Sequence, residues 1–159
     1  PTSNGFITED SLTYHFAKEY IVKNHPRFAF IGFDETDEMA HEGKYDSYLN
    51  SANQLDGYMQ DLWNFIQSDP QYKDNTTLII TCDHGRGHLG KHMWQHHGGL
   101  VFSSNKIWLA AIGAGIKNEG VLKKGQFYQK QIAATIAKLF GKKFSEEKKI
   151  GKPIDAILK

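Results

Sequence analysis

The stretch TTLIITCDHG, residues 76–85, decides our prediction of the fold. Residues 76–82 are apolar or β-branched, which predicts a short strand buried on both faces. Asp83 and His84 follow at its carboxyl end, and Gly85 lets the backbone turn sharply there. In sheets of alternating strands and helices, ligands bind beyond the carboxyl ends of strands. The stretch therefore predicts a strand that delivers a carboxylate and an imidazole to a cleft. The alternative is a surface turn, in which Asp and Gly are common.

Helical and strand-like patterns alternate on both sides of this stretch. Apolar residues at spacings of three and four predict helices, and short apolar runs predict strands. The predicted elements are a helix over 8–24 capped by Thr8, a strand over 27–33, a helix over 45–66, strands over 76–82 and 106–112, and a helix over 128–140 with Gly141 as its C-cap. This order predicts an α/β fold with a mostly parallel sheet flanked by helices, forming a single domain over 1–159.

The composition excludes several classes of function. The 159 residues carry a formal net charge of +1, which argues against general attraction to nucleic acid or an anionic membrane. The single cysteine, Cys82, leaves no partner for an internal disulfide. No apolar run reaches the roughly 18 residues that a membrane-spanning helix needs. We therefore expect a globular domain with no nucleic-acid patch and no membrane segment, whose compartment stays open.

An acidic segment, residues 34–43, holds the first candidate metal ligands. It is predicted to be a loop. Asp37 and His41 are four residues apart, so their side chains approach one point if the segment turns helically. Carboxylate oxygen and neutral imidazole nitrogen are ligands that zinc prefers. The choice of Asp37 is open, since other carboxylates lie nearby, and the alternative is a solvated acidic loop. These carboxylates are Asp34, Glu35, Glu38 and Glu42.

A histidine-rich loop, residues 85–105, holds the remaining candidates. His97, which precedes Gly98, is the favoured metal ligand, and His96 is the alternative. The other histidines of the loop, His88 and His92, are expected to lie at the surface or to contact the metal ligands without binding the metal themselves. Arg86 could hold a substrate oxyanion with its planar guanidinium. The alternative for Arg86 is a solvated loop residue.

Together, the motifs resemble those of the alkaline phosphatase superfamily. Asp-x-x-x-His at residues 37–41, Asp-His-Gly at 83–85 and His-Gly at 97–98 occur in the order found there. That superfamily includes alkaline phosphatases, nucleotide pyrophosphatase/phosphodiesterases and cofactor-independent phosphoglycerate mutases, with sulfatases as more distant relatives. LIITCDHGRG followed by W-x-H-H-G is similar to bacterial members named as phosphodiesterases and sulfatases. The resemblance spans residues 28–140.

The resemblance implies a centre with two divalent ions, typically zinc, with manganese as the alternative. Asp37, His41 and His97 would hold one ion, and Asp83 and His84 the second.

In the family, a further Asp and a nucleophilic Ser or Thr come from an N-terminal strand, and no such segment is present before residue 27. We therefore expect the chain to be the C-terminal part of a larger catalytic domain, truncated at its N-terminus. The nucleophile would lie upstream, and the chain alone would be inactive. The relatives slightly favour a periplasmic or exported parent.

The metal chemistry orders the candidate functions. Sulfatases use calcium held by oxygen ligands, and histidine is a poor ligand for that ion. We therefore expect hydrolysis of small-molecule phosphate esters, of the phosphodiesterase or phosphatase type, rather than sulfatase or phosphoglycerate-mutase-like chemistry. One alternative is a self-sufficient mono-zinc hydrolase, in which Asp37, His41 and His97 hold zinc and a nearby glutamate acts as general base. Candidate bases are Glu35, Glu38 and Glu42. A further alternative to the hydrolase function is a non-catalytic binding domain.

Overall fold

The computed structural model describes residues 9–144 and 150–159. It divides into two compact units. The first comprises residues 9–73 and 84–107, and the second comprises residues 74–83 and the described part of 108–159. The single domain expected from the sequence stays a prediction.

Three α-helices form most of the first unit. Helix α1 spans Asp10–Asn24, α2 spans Glu35–His41 and α3 spans Tyr45–Ser68. The positions of α1 and α3 agree with the predicted helices, and the proposed cap Thr8 lies outside the described residues. The apolar face predicted for α1 is wrong except at Ile21, because Leu12, Phe16 and Tyr20 are exposed. The core shared by α1 and α3 contains Tyr14 and Ile21 from α1, and Leu62 and Ile66 from α3. Tyr14 also stacks on Tyr58 of α3, with ring centroids 4.2 Å apart.

Helix α2 corrects the prediction that residues 34–43 form a loop. Its Ala40 is fully buried, so the segment is anchored to the core rather than solvated. Gly43 ends it with φ +72°, where glycine has no steric penalty. The N–H of Gly43 donates to the carbonyl of Ala40, and that of Lys44 to the carbonyl of Met39, each at 2.9 Å. This is the Schellman pattern of helix termination. Packing and termination thus make a helix of a segment whose acidic residues suggested a loop.

The strand predicted over residues 27–33 is wrong. The structure leaves this segment outside helices and strands. Phe28 and Phe30 are 56% and 86% exposed, so the apolar run is not sandwiched between layers as a buried strand would be. An apolar run becomes a strand only where a neighbour supplies the hydrogen-bonded ladder, and local sequence does not reveal that neighbour.

The second unit holds the sheet of the described residues, which has two strands. Strand β1 spans Thr77–Thr81 and β2 spans Leu109–Gly113, close to two of the predicted strands. They pair antiparallel, with Thr77 opposite Gly113 and Thr81 opposite Leu109. The mostly parallel sheet is therefore not what the structure contains, although a mixed chain of helices with a small sheet is compatible with the α/β class. Parallel neighbours need a long crossover, usually a helix, whereas the chain between β1 and β2 forms no α-helix.

Helix α4 completes the second unit. It spans Ile132–Leu139 after a short 3-10 turn over Gln129–Gln131, which agrees with the predicted helix over 128–140. Gly141 follows with φ +67°, and the N–H groups of Gly141 and Lys142 donate to Lys138 and Ala137 in a second Schellman pattern. The prediction that Gly141 caps this helix is confirmed.

None of the helices in the described parts of the chain combines the length and apolar character that crossing a membrane requires.

Candidate metal centre

Helix α2 brings the first two predicted ligands together. Asp37 and His41 are four residues apart, so one helical turn places them on the same face. The Nε2 atom of His41 lies 3.2 Å from Oδ2 of Asp37. The helical turn, which was only a condition of the sequence-based prediction, is therefore present. Both side chains are somewhat more than one-third exposed.

The Asp-His-Gly motif supplies a second imidazole to Asp37. Nδ1 of His84 lies 3.1 Å from the carbonyl oxygen of Gly85, and its Nε2 lies 3.5 Å from Oδ1 of Asp37. A Cβ atom on Gly85 would collide with the carbonyl oxygens of Ser103 and Lys106. The glycine is thus required because the backbone of residues 103–106 passes against it. The backbone N–H of Gly85 donates to the carbonyl of Ser104 at 2.7 Å, which fixes this contact.

His97 joins the same cluster from the histidine-rich loop. Its Nε2 lies 3.0 Å from Nε2 of His41 and 3.7 Å from Oδ1 of Asp37. Its ring stacks on His84 with centroids 3.7 Å apart and planes 12° from parallel. The N–H of Gly87 donates to the carbonyl of His96 at 3.1 Å, which fixes the backbone just before His97. Of the two adjacent histidines, His97 is the one whose ring lies against the other predicted ligands.

Arg86, in the histidine-rich loop, contacts both Asp37 and the backbone of Trp94. Its Nη2 atom bonds the carboxylate of Asp37 and also donates to the carbonyl of Asp37 at 3.2 Å. Its Nη1 donates to the carbonyl of Trp94 at 3.4 Å. The side chain is only 15% exposed. The guanidinium thus orients Asp37, and its role in binding a substrate oxyanion stays a prediction.

The electrostatic surroundings favour neutral His97. Burial lowers the pKa of His97, and the neighbouring His84 lowers it further, while Asp37 opposes these effects. A lowered pKa makes the neutral imidazole the main form at neutral pH. Neutral imidazole is the form that binds a metal, because a protonated ring has no free lone pair.

The separations between donor atoms are compatible with a bound divalent ion. Ligands about 2.0–2.1 Å from a tetrahedral zinc ion lie roughly 3.3 Å from one another. The separations of 3.2 Å from Asp37 to His41 and 3.0 Å from His41 to His97 are close to this value, and those from Oδ1 of Asp37 to His84 and His97 are longer, at 3.5 and 3.7 Å. Donor atoms of Asp37, His84 and His97 also lie within 4.8 Å of one another. The described residues therefore include a donor set suited to a divalent ion.

The arrangement differs in one respect from the grouping implied by the sequence motifs. His84 lies beside Asp37 and His97, the residues assigned to the other ion. Asp83, its expected partner, belongs to the second unit, where its carbonyl oxygen accepts a hydrogen bond from Nε2 of Gln129 at 3.3 Å. The pairing of Asp83 with His84 on one ion stays a prediction. The order of the motifs along the sequence could not predict that the rings of His84 and His97 stack on each other.

Comparison with known proteins identifies the family. The family described as the Metalloenzyme superfamily matches residues 9–144, which include every residue of the cluster. That family is part of the alkaline phosphatase-like superfamily, as the three motifs predicted. No curated protein and no solved structure matched the chain. The match covers most of the sequence, and the chain belongs to the Metalloenzyme superfamily of the alkaline phosphatase-like superfamily.

Proposed function

We propose that the chain binds zinc at the Asp37 cluster and serves the hydrolysis of phosphoric esters. The observation that carries the proposal is the convergence of three imidazoles, from His41, His84 and His97, on one carboxylate. Membership in a family of metal-dependent enzymes supports a catalytic use for such a cluster.

The donor chemistry favours zinc, with manganese as the alternative. Imidazole nitrogen suits zinc and similar transition ions, whereas calcium takes oxygen ligands. An imidazole-rich centre therefore supports phosphate ester hydrolysis over the calcium-dependent sulfatase reaction. The phosphodiesterase or phosphatase type is our first choice within the superfamily.

We further propose two ions. Oδ2 of Asp37 faces His41, while Oδ1 faces His84 and His97. Asp37, His41 and His97 would hold one ion, since Nε2 of His97 lies 3.0 Å from Nε2 of His41, and His84 with Asp83 would hold the second. The chemistry supplied by two bound ions is stabilisation of the attacking and leaving oxygens in an in-line displacement. The contribution of Arg86 is to hold Asp37 in place through its bonds to Oδ1 and to the backbone carbonyl of Asp37.

A self-sufficient mono-zinc hydrolase is the second candidate, because His41 lies 3.2 Å from Asp37 and 3.0 Å from His97, both close to the separation of ligands on one zinc ion. It needs a glutamate free to act as general base. Oε1 of Glu35 accepts the backbone N–H of Asp10 at 3.1 Å, and Glu42 is paired with Lys44 at 2.5 Å. These contacts disfavour two of the three candidate bases, so we rank this function second.

Zinc titration followed by calorimetry tests the proposal. We expect the chain to take up zinc, with a marked loss of affinity in His41→Ala, His84→Ala and His97→Ala. The exposed His88 in the same loop is a matched control, and His88→Ala should bind as the unmodified chain does. Two ions per chain would support the two-metal centre, and a single ion insensitive to His84→Ala would favour the mono-zinc candidate. A chain that binds no zinc would refute both.

Anion binding separates the phosphate and sulfate chemistries without requiring turnover. The zinc-loaded chain should bind inorganic phosphate or orthovanadate more tightly than sulfate, because the oxygens of phosphate and vanadate are more basic and therefore better donors to a Lewis-acidic ion. The metal-free chain serves as the control. Equal or tighter sulfate binding would contradict the assignment to phosphoric esters.

A further inference from the structure

Asp10 is a buried carboxylate that lies outside the metal cluster. Its side chain is among the most completely buried in the described structure, and the residue is 1% exposed. Burial raises the pKa of Asp10, and the backbone N–H of Asp34 opposes this effect. Removing a carboxylate from water is costly unless hydrogen bonds compensate. The presence of Asp10 in the core therefore calls for an account of what it binds.

The partners of Asp10 are at the beginning of α2. Its Oδ1 accepts the backbone N–H of Asp34 at 2.9 Å, and its Oδ2 accepts that of Glu35 at 3.3 Å. In return, Oε1 of Glu35 accepts the backbone N–H of Asp10 at 3.1 Å. The beginnings of α1 and α2 thus cap each other. Each carboxylate satisfies N–H groups that have no partner within their own helix.

Helix α2 depends on such support. It has seven residues, and isolated helices shorter than about 12 residues are marginal in water. Its own N-cap residue, Asp34, makes no side-chain capping bond. The orientation of α2 is therefore set from outside, by the Asp10 carboxylate at its beginning and by buried Ala40 near its end.

We propose that Asp10 is a positioning residue of the metal centre, which fixes the beginning and rotation of α2 so that Asp37 and His41 face His97. The inference rests on the proposed metal-binding function. Asp37 is two residues beyond Glu35 in the same short helix, so a rotation at the capped end moves both ligands. Such a rotation would change the separation of 3.0 Å between Nε2 of His41 and Nε2 of His97.

Asp10→Asn tests the proposal. The amide keeps the shape of the side chain but offers one acceptor oxygen, so one of the two N–H groups of α2 loses its partner. We expect zinc affinity to fall about 10-fold, the lower end of the effect of removing groups that support metal ligands. The absorption spectrum of the cobalt-substituted chain should change as well, because its ligand geometry is altered. The control is Asp56→Asn, which removes the same charge at an exposed position of α3 and should leave affinity and spectrum unchanged.

Several outcomes separate this role from a purely structural one. If Asp10→Asn lowers the melting temperature but leaves zinc affinity and the cobalt spectrum unchanged in the folded protein, the positioning role is overturned. If Asp10→Asn does not fold, Glu35→Ala removes the reciprocal bond to Asp10, and a smaller loss of zinc affinity in that variant is the expected result. Unchanged affinity in Glu35→Ala would then overturn the proposal. An unmodified chain without zinc binding would instead refute the metal centre itself.

Discussion

Replacing Gly85 by alanine should destabilise the protein through a single added methyl group. A Cβ atom at this position would lie too close to the carbonyl oxygens of Ser103 and Lys106. Both obstructing atoms are backbone, so no side-chain rotation can relieve the overlap. Overpacking of this kind costs about 1–3 kcal/mol, and we expect the upper part of that range because the histidine-rich loop itself must move.

Urea unfolding measures this cost. With a denaturant slope of about 2 kcal/mol/M, a loss of about 3 kcal/mol lowers the midpoint by roughly 1.5 M. Zinc affinity should fall too, because His84 is the preceding residue and moves with the displaced backbone. The matched control is Gly57→Ala within α3, where a Cβ meets nothing within 4 Å. Alanine there should raise the free energy of unfolding by up to about 1 kcal/mol, since glycine is the poorer helix former.

The two glycine variants therefore have opposite expected signs. If Gly85→Ala unfolds at the same urea concentration as the unmodified chain, the backbone of residues 103–106 does not pass against Gly85 as described. Equal destabilisation by Gly57→Ala would show that the change of residue type, rather than the local contact, determines the result.

Two further changes test other local features. Ser103 has φ +75°, and its buried Oγ has no hydrogen-bond partner, so Ser103→Gly should stabilise the protein by about 1 kcal/mol in the same urea assay; a lower midpoint would contradict this. The pKa of Asp69 is lowered, chiefly by the hydrogen bond from the backbone N–H of Gln71. A carboxyl with a lowered pKa in the folded state contributes stability that is present above its ordinary pKa of about 3.9 and is lost as the pH falls through the lowered value. Thermal melts below about pH 5 should thus show a weaker pH dependence in Asp69→Asn than in the unmodified chain, and an unchanged slope would refute the assignment. Asp56→Asn is again the control.

The helices with strong periodic patterns could be predicted because the information is local. In α3, apolar residues recur at helical spacing from Tyr45 to Ile66, and the structure follows them to Ser68. Gly141 was predictable for the same reason, since a glycine after an apolar helix is a common terminus. The prediction for α2 failed because its stabilisation comes from Asp10, 24 residues before Asp34, and from the burial of Ala40.

Strand pairing and ligand grouping depend on contacts distant in sequence. Whether β2 pairs parallel or antiparallel with β1 depends on the conformation of the 27 residues between them. The apolar sequence of a strand carries no information about that conformation. The candidate ligands could be named from the sequence because Asp and His are residue types that bind metals, although within the cluster only His84 follows a strand in the structure. The stacking of His84 on His97, 13 residues away, was not, because the loop between them is irregular and fixed by Gly85 and Gly87.

The most direct test of the metal centre is a comparison of zinc affinity between His97→Ala and His96→Ala. The two variants remove the same side chain from adjacent positions, and only His97 lies against Asp37, His41 and His84 in the described cluster. We predict that His97→Ala lowers zinc affinity by more than about 100-fold, since direct ligands matter more than the groups that support them. We predict that His96→Ala stays close to the unmodified chain. Loss of zinc binding in His96→Ala with normal binding in His97→Ala would contradict the proposed centre.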